Sequence, residues 1–521
     1  MPEYLRPGVF IEEIERGPRP IEGVPTSTSA FIGETERGPI RPRLVTSYNE
    51  YNRLFGGIFG RSYYMPYAAN GFFENGGKRL YVCRIVSDTA TTAQRAFGTY
   101  LLRALGAGES GNRIFASVGP GTTADIAGNP VGFRIKAAYW ASTPPTFTPF
   151  DPFLPETRST IPRPSVVEDF DDLSVDPASP DFYEKRLGTA EEPNSALVFL
   201  DGTAAQPLEP IAAGAWGALQ GGQDGPVATT ADFVGAKSGL RTTEQGLEAL
   251  NLDAYRDVAL AHIPFPQGDL TAIYGALKDH CELSRFRFAV LDAPPGQSNP
   301  GDVDPRADLE IDSSYAAYYY PWLIVSDPQT GARVKVPPGG YALGVYSRSD
   351  TERGVFKAPA NETVRGALDL EYEINDSQQE ILNPRGANVI RKFPGRGIRV
   401  WGARTLTSNG LWKYVSVRRL FIFLERSIYE GTQWVVFEPN DDALWARLKD
   451  TLRLFLRNQW REGALFGQRE EDAFFITCDR TTMSQDDILN GRLICEIGIA
   501  PVRPAEFVIF RVFQQTAEAQ R

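Results

Sequence analysis

Residues 382–465 read LNPRGANVIRKFPGRGIRVWGARTL (382–406), KYVSVRRLFIFLERSIYEGTQWVVFEPN (413–440) and DDALWARLKDTLRLFLRNQWREGAL (441–465). Bulky apolar and basic residues alternate densely in the first two segments, whereas the third has helical spacing. The pattern predicts short strands around Ile390 and at 398–401, 420–423 and 434–437, then a long amphipathic helix over 441–462. Leu444, Leu448, Leu452, Phe455 and Leu456 share one face of that helix; Asp450, Arg453, Arg457 and Arg461 gather on the opposite one. The block contains no arrangement of nucleophile, base or metal ligands. Beyond it, 473–478 and 493–499 read as further strands. A last strand is predicted at 507–513 (FVIFRVF), including Phe507, Val508, Ile509, Phe510 and Val512, and Pro501 and Pro504 detach it from the sheet before it.

Working outward, residues 1–24 read as an extended arm. Pro2, Pro7, Pro18 and Pro20 forbid a continuous helix, while Val9, Phe10 and Ile11 suit one short strand. Such a segment cannot bury itself: it either frays or adds to a neighbour's sheet edge. Residues 29–86 look α/β, with strands at 30–33 and 80–86 around helices at 47–55 and 67–74. Two strands cannot close a core, so the 382–465 block is expected to supply their partners. Residues 93–210 read as a peripheral β-rich insertion with a hairpin of 113–118 and 132–139. Residues 211–362 read as a second, α/β insertion. Its signals are a capping box over 242–245, a strand at 258–261, a helical stripe of Leu270, Ile273, Tyr274, Leu277 and Cys281, and a strand at 288–291.

A chain of 521 residues needs two to four domains. Its net charge of −11 gives no global attraction to nucleic acid or to an anionic membrane. No apolar run approaches the length of a bilayer span, and MPEYLRPGVF does not read as a signal peptide, so neither membrane insertion nor the usual secretory route is expected. Cys83, Cys281, Cys478 and Cys495 are far apart in sequence with no C-x-x-C pair, which argues against zinc and for reduced, buried thiols made in a cytoplasm.

Chemistry-bearing motifs are sparse. Gly106-x-Gly108-x-x-Gly111 satisfies a dinucleotide pattern formally, but a helix-like YLLRAL precedes it and a strand follows, the reverse of the order that fold needs; a turn is the better reading. Gly77-Lys78 is followed by Arg79, so there is no phosphate-binding loop of the Walker type, and no G-x-S-x-G occurs. The acidic cluster Glu168, Asp169, Asp171 and Asp172 lacks calcium-loop spacing and reads as a solvated loop. His262 and His280 read as structural. The chain is therefore expected to be no enzyme and to use no cofactor or metal. An α/β enzyme would require a pocket near Asp292 or His280.

Four stretches carry a family resemblance: PGVFIEE (7–13), STSAFIGETERGP (27–39), VPPGGYALGVYSRSDTERGVFKAPAN (336–361) and the 382–465 block. They resemble the tail sheath proteins of contractile phage tails and phage-tail-like injection systems. The resemblance implies an α+β multidomain chain whose conserved α/β core is built from its N- and C-terminal parts, with β-rich and α/β insertions and extended arms at both ends. The expected divisions are arm 1–24, core part 25–92, outer β-rich insertion 93–210, α/β insertion 211–362, inner tube-facing core part 363–500 and arm 501–521. It further implies a homo-oligomer of stacked hexameric rings or a helical sheath. The expected partners are an inner tube protein touched by the Asp450, Arg453, Arg457 and Arg461 face, baseplate proteins and a tail-terminator or cap, with the arms pairing between subunits. A non-contractile baseplate or tube component is the second reading.

Overall fold

The computed structural model describes residues 20–511 except 61, 144–146, 207, 236, 239–240 and 243–244. The predicted strand at Val9, Phe10 and Ile11 lies outside these, as does Val512. Two compact units are formed: Pro25–Arg419, and Leu420–Arg521 with Met1–Val24.

The larger unit is organised by a nine-stranded mixed sheet. Its order is Glu362–Thr363, Gly397–Val400, Ala387–Phe393, Ala316–Tyr320, Phe288–Asp292, Leu260–His262, Ser29–Gly33, Leu80–Arg84 and Arg43–Val45. The six strands from Ala387–Phe393 to Leu80–Arg84 run parallel, and the outer ones are antiparallel. Parallel strands covered on both faces need continuous apolar runs, and Ser29–Gly33, Phe288–Asp292 and Ala316–Tyr320 are buried at every position. One face packs on Ile273, Tyr274, Leu277 and Cys281 of the helix Leu270–Ser284, the stripe the sequence predicts.

The other face carries Phe31 and His262, whose rings meet edge to face. Phe31 also meets Phe72 of the helix Met65–Glu74, which packs tightly on the helix Gly339–Arg353. That approach depends on glycine: a Cβ at Gly71 would stand 2.4 Å from the Tyr341 ring, and one at Gly340 2.5 Å from the Ala68 backbone. Arg419 closes this region with a bidentate pair to Asp350 at 2.5 and 2.9 Å, both side chains almost fully buried, and donates to Thr26 O.

The topology corrects the expected origin of the sheet. The direct neighbours of Ser29–Gly33 are Leu80–Arg84 and Leu260–His262, and the middle of the sheet comes from residues 260–320. The segment read as a second insertion therefore supplies central strands, and the 387–400 hairpin adds at the far end. Helical stripes alternating with short apolar strands are what a parallel sheet requires, so these residues belong to the sheet rather than beside it.

Residues 94–218 are β-rich with their own apolar core. Ile114–Pro120 and Phe133–Tyr139 form the expected hairpin inside a four-stranded antiparallel sheet. YLLRAL is not helical: Tyr100–Ala104 is a strand whose Tyr100, Leu102 and Ala104 point inward with period two.

In the smaller unit the predicted strands at 420–423 and 434–437 are absent. Residues 420–423 lie inside the 17-residue helix Val415–Gly431, and Gln433–Val435 is a 3-10 turn. A four-residue apolar run cannot by itself separate strand from helix. The wider spacing decides it, since Val417, Leu420, Leu424 and Ser427 recur at helical intervals and are buried. Residues 20–24, the described base of the first arm, lie on this helix: Val24 N–H donates to Ser427 Oγ at 3.1 Å, and Gly23 faces the Phe423 ring. The capping box expected over 242–245 is corrected too: Thr242 ends the two-residue strand Arg241–Thr242, and the short helix Gly246–Ala249 has Gln245 as its N-cap with no side-chain cap hydrogen bond.

Candidate assembly interface

The predicted long helix spans Asp442–Arg461, and Asp441 caps it by accepting from Leu444 N–H at 2.8 Å. Leu444, Leu448, Leu452, Phe455 and Leu456 are buried as predicted, joined by Trp445, Thr451 and Gln459. Asp450, Arg453 and Arg461 are exposed on the other side, and Arg457 is half-buried. The sequence did not reveal Glu470, which binds Arg457 Nε at 2.6 Å and Arg453 Nε at 3.3 Å. The hydrogen bond from Arg457 holds the Glu470 carboxyl below the usual range. The face is thus partly neutralised, and Arg461 adds to the field around the same carboxylate.

Against this helix packs an antiparallel pair, Phe474–Thr477 with Glu496–Ile499. Its two faces differ. Phe474 and Cys478 are buried, whereas Phe475 is 59% exposed and its ring lies across Gly498, in the space a Cβ there would take. Among the described residues no third strand pairs along Phe474–Thr477 or Glu496–Ile499 themselves; just past the latter, Phe466 N–H donates to Ala500 O at 2.8 Å and Val502 N–H to Ala464 O at 3.1 Å, so that edge is covered from 500 onward. The predicted final strand is absent as well: residues 507–511 have no strand partner among the described residues, and Phe507, Val508, Ile509 and Phe510 are 71, 68, 79 and 86% exposed. A strand needs a partner, and this run has none within its own described unit.

The other candidates are structural. The acidic cluster is not the expected solvated loop but part of the strand Val166–Leu173: Glu168 is buried and accepts from Ser195 Oγ and Ala196 N–H, Asp169 pairs with Arg134, and Asp171 and Asp172 accept from Thr122 and Thr123. Gly108 starts a 3-10 turn, and a Cβ at Gly106 would strike Gly38 O, so the glycine motif is a tight turn. His280 lies 2.9 Å from the Arg287 guanidinium, and burial pushes its pKa down to about 3. His262 and Asp292 are fully buried, with Asp292 accepting from Gly339 N–H at 2.6 Å. Neither offers substrate an open face. Among the described residues no cluster fits a metal ion, and no helix is long and apolar enough to cross a membrane.

The phage tail sheath central domain matches residues 242–406, and the phage tail sheath C-terminal domain matches 407–515, together more than half of the chain. The chain belongs to the phage tail sheath family. The tail sheath protein of Burkholderia phage BcepMu is 26% identical over 257 residues, covering 46% of this chain and 53% of that one. The chain spans about half the length, or less, of the curated relatives it matches. Over its whole length it superposes on the sheath of an extracellular contractile injection system, the PVC sheath complex in its contracted state (TM-score 0.59, 22% identity, 100% of both chains). It also superposes on the contracted helical sheath of the anti-feeding prophage (TM-score 0.57, 24% identity, 98% and 99%). These likenesses establish the sheath fold.

Proposed function

We propose that this chain is the repeating subunit of a contractile sheath. Copies stack as hexameric rings or a helix around an inner tube, seat on a baseplate and end at a cap. Collapse to a shorter, wider lattice drives the tube into a target envelope. One observation carries this reading within the family: four consecutive apolar residues, 507–510, stand in water a few residues past a two-stranded sheet whose strands 474–477 and 496–499 have no further strand partner among the described residues. An isolated strand pair is marginal in water, and exposed apolar runs invite pairing. Donation of residues 507–512 from one copy to the 474–477 or 496–499 edge of the next satisfies both at once, and residues 1–24 with Val9, Phe10 and Ile11 act in the same way. Backbone pairing of this kind lets subunits pivot while staying linked. The work comes from packing energy stored in the extended lattice, so the chain needs no catalytic site.

The Asp442–Arg461 helix turns its Asp450, Arg453, Arg457 and Arg461 face toward the tube. Exposed ion pairs contribute only about 0–1 kcal/mol each, which suits a contact that must release. The residues 94–218 form the outer surface. Negative-stain electron microscopy of the purified chain tests the reading: striated hollow tubes are expected, and discrete rings or wedges would favour a baseplate component. A chain lacking residues 1–20 should stay folded and monomeric; tubes of normal length from it would overturn the arm mechanism.

A further inference from the structure

Cys478 and Cys495 are far apart in sequence, yet the register of Phe474–Thr477 with Glu496–Ile499 places them opposite each other one step beyond the last pair, Thr477 with Glu496. Ala500 N–H donates to Ala473 O at 2.9 Å, so 473 and 500 are a hydrogen-bonded pair. Pair types alternate along an antiparallel ladder, which makes 478 and 495 a non-hydrogen-bonded pair, the type whose side chains lie closest. Their thiols are within hydrogen-bonding reach of each other. Both are free cysteines, Cys478 fully buried and Cys495 partly accessible. Cα atoms facing one another across such a pair fall within the range a disulfide spans.

We propose that Cys478 and Cys495 form a redox staple across the two-stranded sheet, closed by oxidation with a small-molecule disulfide. The Cys495 thiol loses its proton to water, and its sulfur attacks one sulfur of RSSR, breaking the S–S bond; the departing RS⁻ takes a proton as RSH. Cys478, deprotonated in turn, attacks Sγ of Cys495 in the mixed disulfide and expels a second RSH. Two protein thiols lose two electrons in total, and one RSSR becomes two RSH. The site faces Lys449, whose charge favours both thiolates, and Asp479 and Glu496, which oppose them. Burial dominates and pushes the Cys495 thiol up to about 12, so the pair is inert at neutral pH in a reducing compartment. Once closed, the bond stops the two strands from separating at the end of the ladder. Through the assembly reading this sheet accepts a neighbour's strand, so the staple would harden the acceptor; the bond itself does not depend on that reading.

The test uses the full chain, incubated with oxidised glutathione and digested without reduction. Mass spectrometry should find the peptides of Cys478 and Cys495 linked, with Cys83 and Cys281 unmodified because both are fully buried. The rate should rise about tenfold per pH unit between pH 7 and 9, as thiolate population demands. The unfolding temperature of the smaller unit should rise by about 5–10 °C on oxidation and fall back with dithiothreitol. A C495S chain should show no linkage and no shift. Glutathione retained on Cys495 beside a free Cys478, or linkage of any other cysteine pair instead, overturns the proposal. Tube formation, scored separately by microscopy on reduced protein, reports only on the assembly reading.

Discussion

Two sheets in this chain solve the same problem in opposite ways. The nine-stranded sheet of Pro25–Arg419 has strands buried on both faces, and antiparallel strands close off its parallel centre at either end. The pair Phe474–Thr477 and Glu496–Ile499 has one buried face, an exposed Phe475 and no described strand at either edge, while residues 507–510 hold unpaired apolar surface in water. The first is complete in one copy. On the proposed function another copy finishes the second, so stability and assembly should respond to different residues.

The largest effect should come from breaking the incomplete sheet. Replacing Ile509 and Phe510 together with Asp should abolish tube formation, as read by sedimentation and microscopy, because charge on a donor strand opposes docking. The unfolding midpoint should hardly move, since both side chains are exposed in the single chain. A clear loss of stability with normal tubes would reverse the assignment of the two regions.

The contrast also explains what was legible in the sequence. The Leu270–Ser284 stripe, the 114–139 hairpin and the Asp442–Arg461 helix follow from local periodicity, and each is found where its spacing places it. The 420–423 run was misread because LFIF carries apolar bulk at every position and only the wider 417–427 spacing shows a helix. Strand order could not be read locally: the strands beside Ser29–Gly33 are Leu80–Arg84 and Leu260–His262, the second joined through a connection of more than two hundred residues. The Glu470 partner of Arg453 and Arg457, and the meeting of Cys478 with Cys495, likewise depend on chain reversals that composition does not record.

Within the complete sheet the next effect is the Arg419–Asp350 pair, held at 2.5 Å with both side chains almost entirely out of water. Arg419→Ala leaves a buried carboxylate without its guanidinium and should cost about 3–5 kcal/mol in chemical denaturation. If the loss is below 1 kcal/mol, the pair is not a closing element of the larger unit.

A smaller effect is expected from Glu34, which follows the central strand and accepts from the Ala228 backbone. Burial raises its pKa to about 7, and Asp232 adds to the rise. A carboxyl whose folded pKa exceeds its unfolded one stabilises most below the unfolded value and loses that contribution as pH climbs through the folded value. Stability should therefore fall between about pH 4.5 and pH 7.5 by up to about 3 kcal/mol, and Glu34→Gln should flatten that slope in urea titrations at several pH values. An unchanged slope in the variant would assign the dependence elsewhere.

The smallest effect on the single chain should come from the charged face of Asp442–Arg461, and it sharpens the comparison most. Arg453 is well exposed, and its contact with Glu470 is shared with Arg457, so Arg453→Glu with Arg461→Glu should leave the denaturation midpoint within error. Binding to the proposed inner tube should nonetheless weaken, because two reversed charges act on the partner rather than on the fold. That loss should be marked at about 50 mM salt and nearly vanish at about 500 mM, where screening confines the field to a few ångströms. Equal binding at low salt would remove this helix from the tube-facing side, and the exposed basic face would then be a solvated surface only.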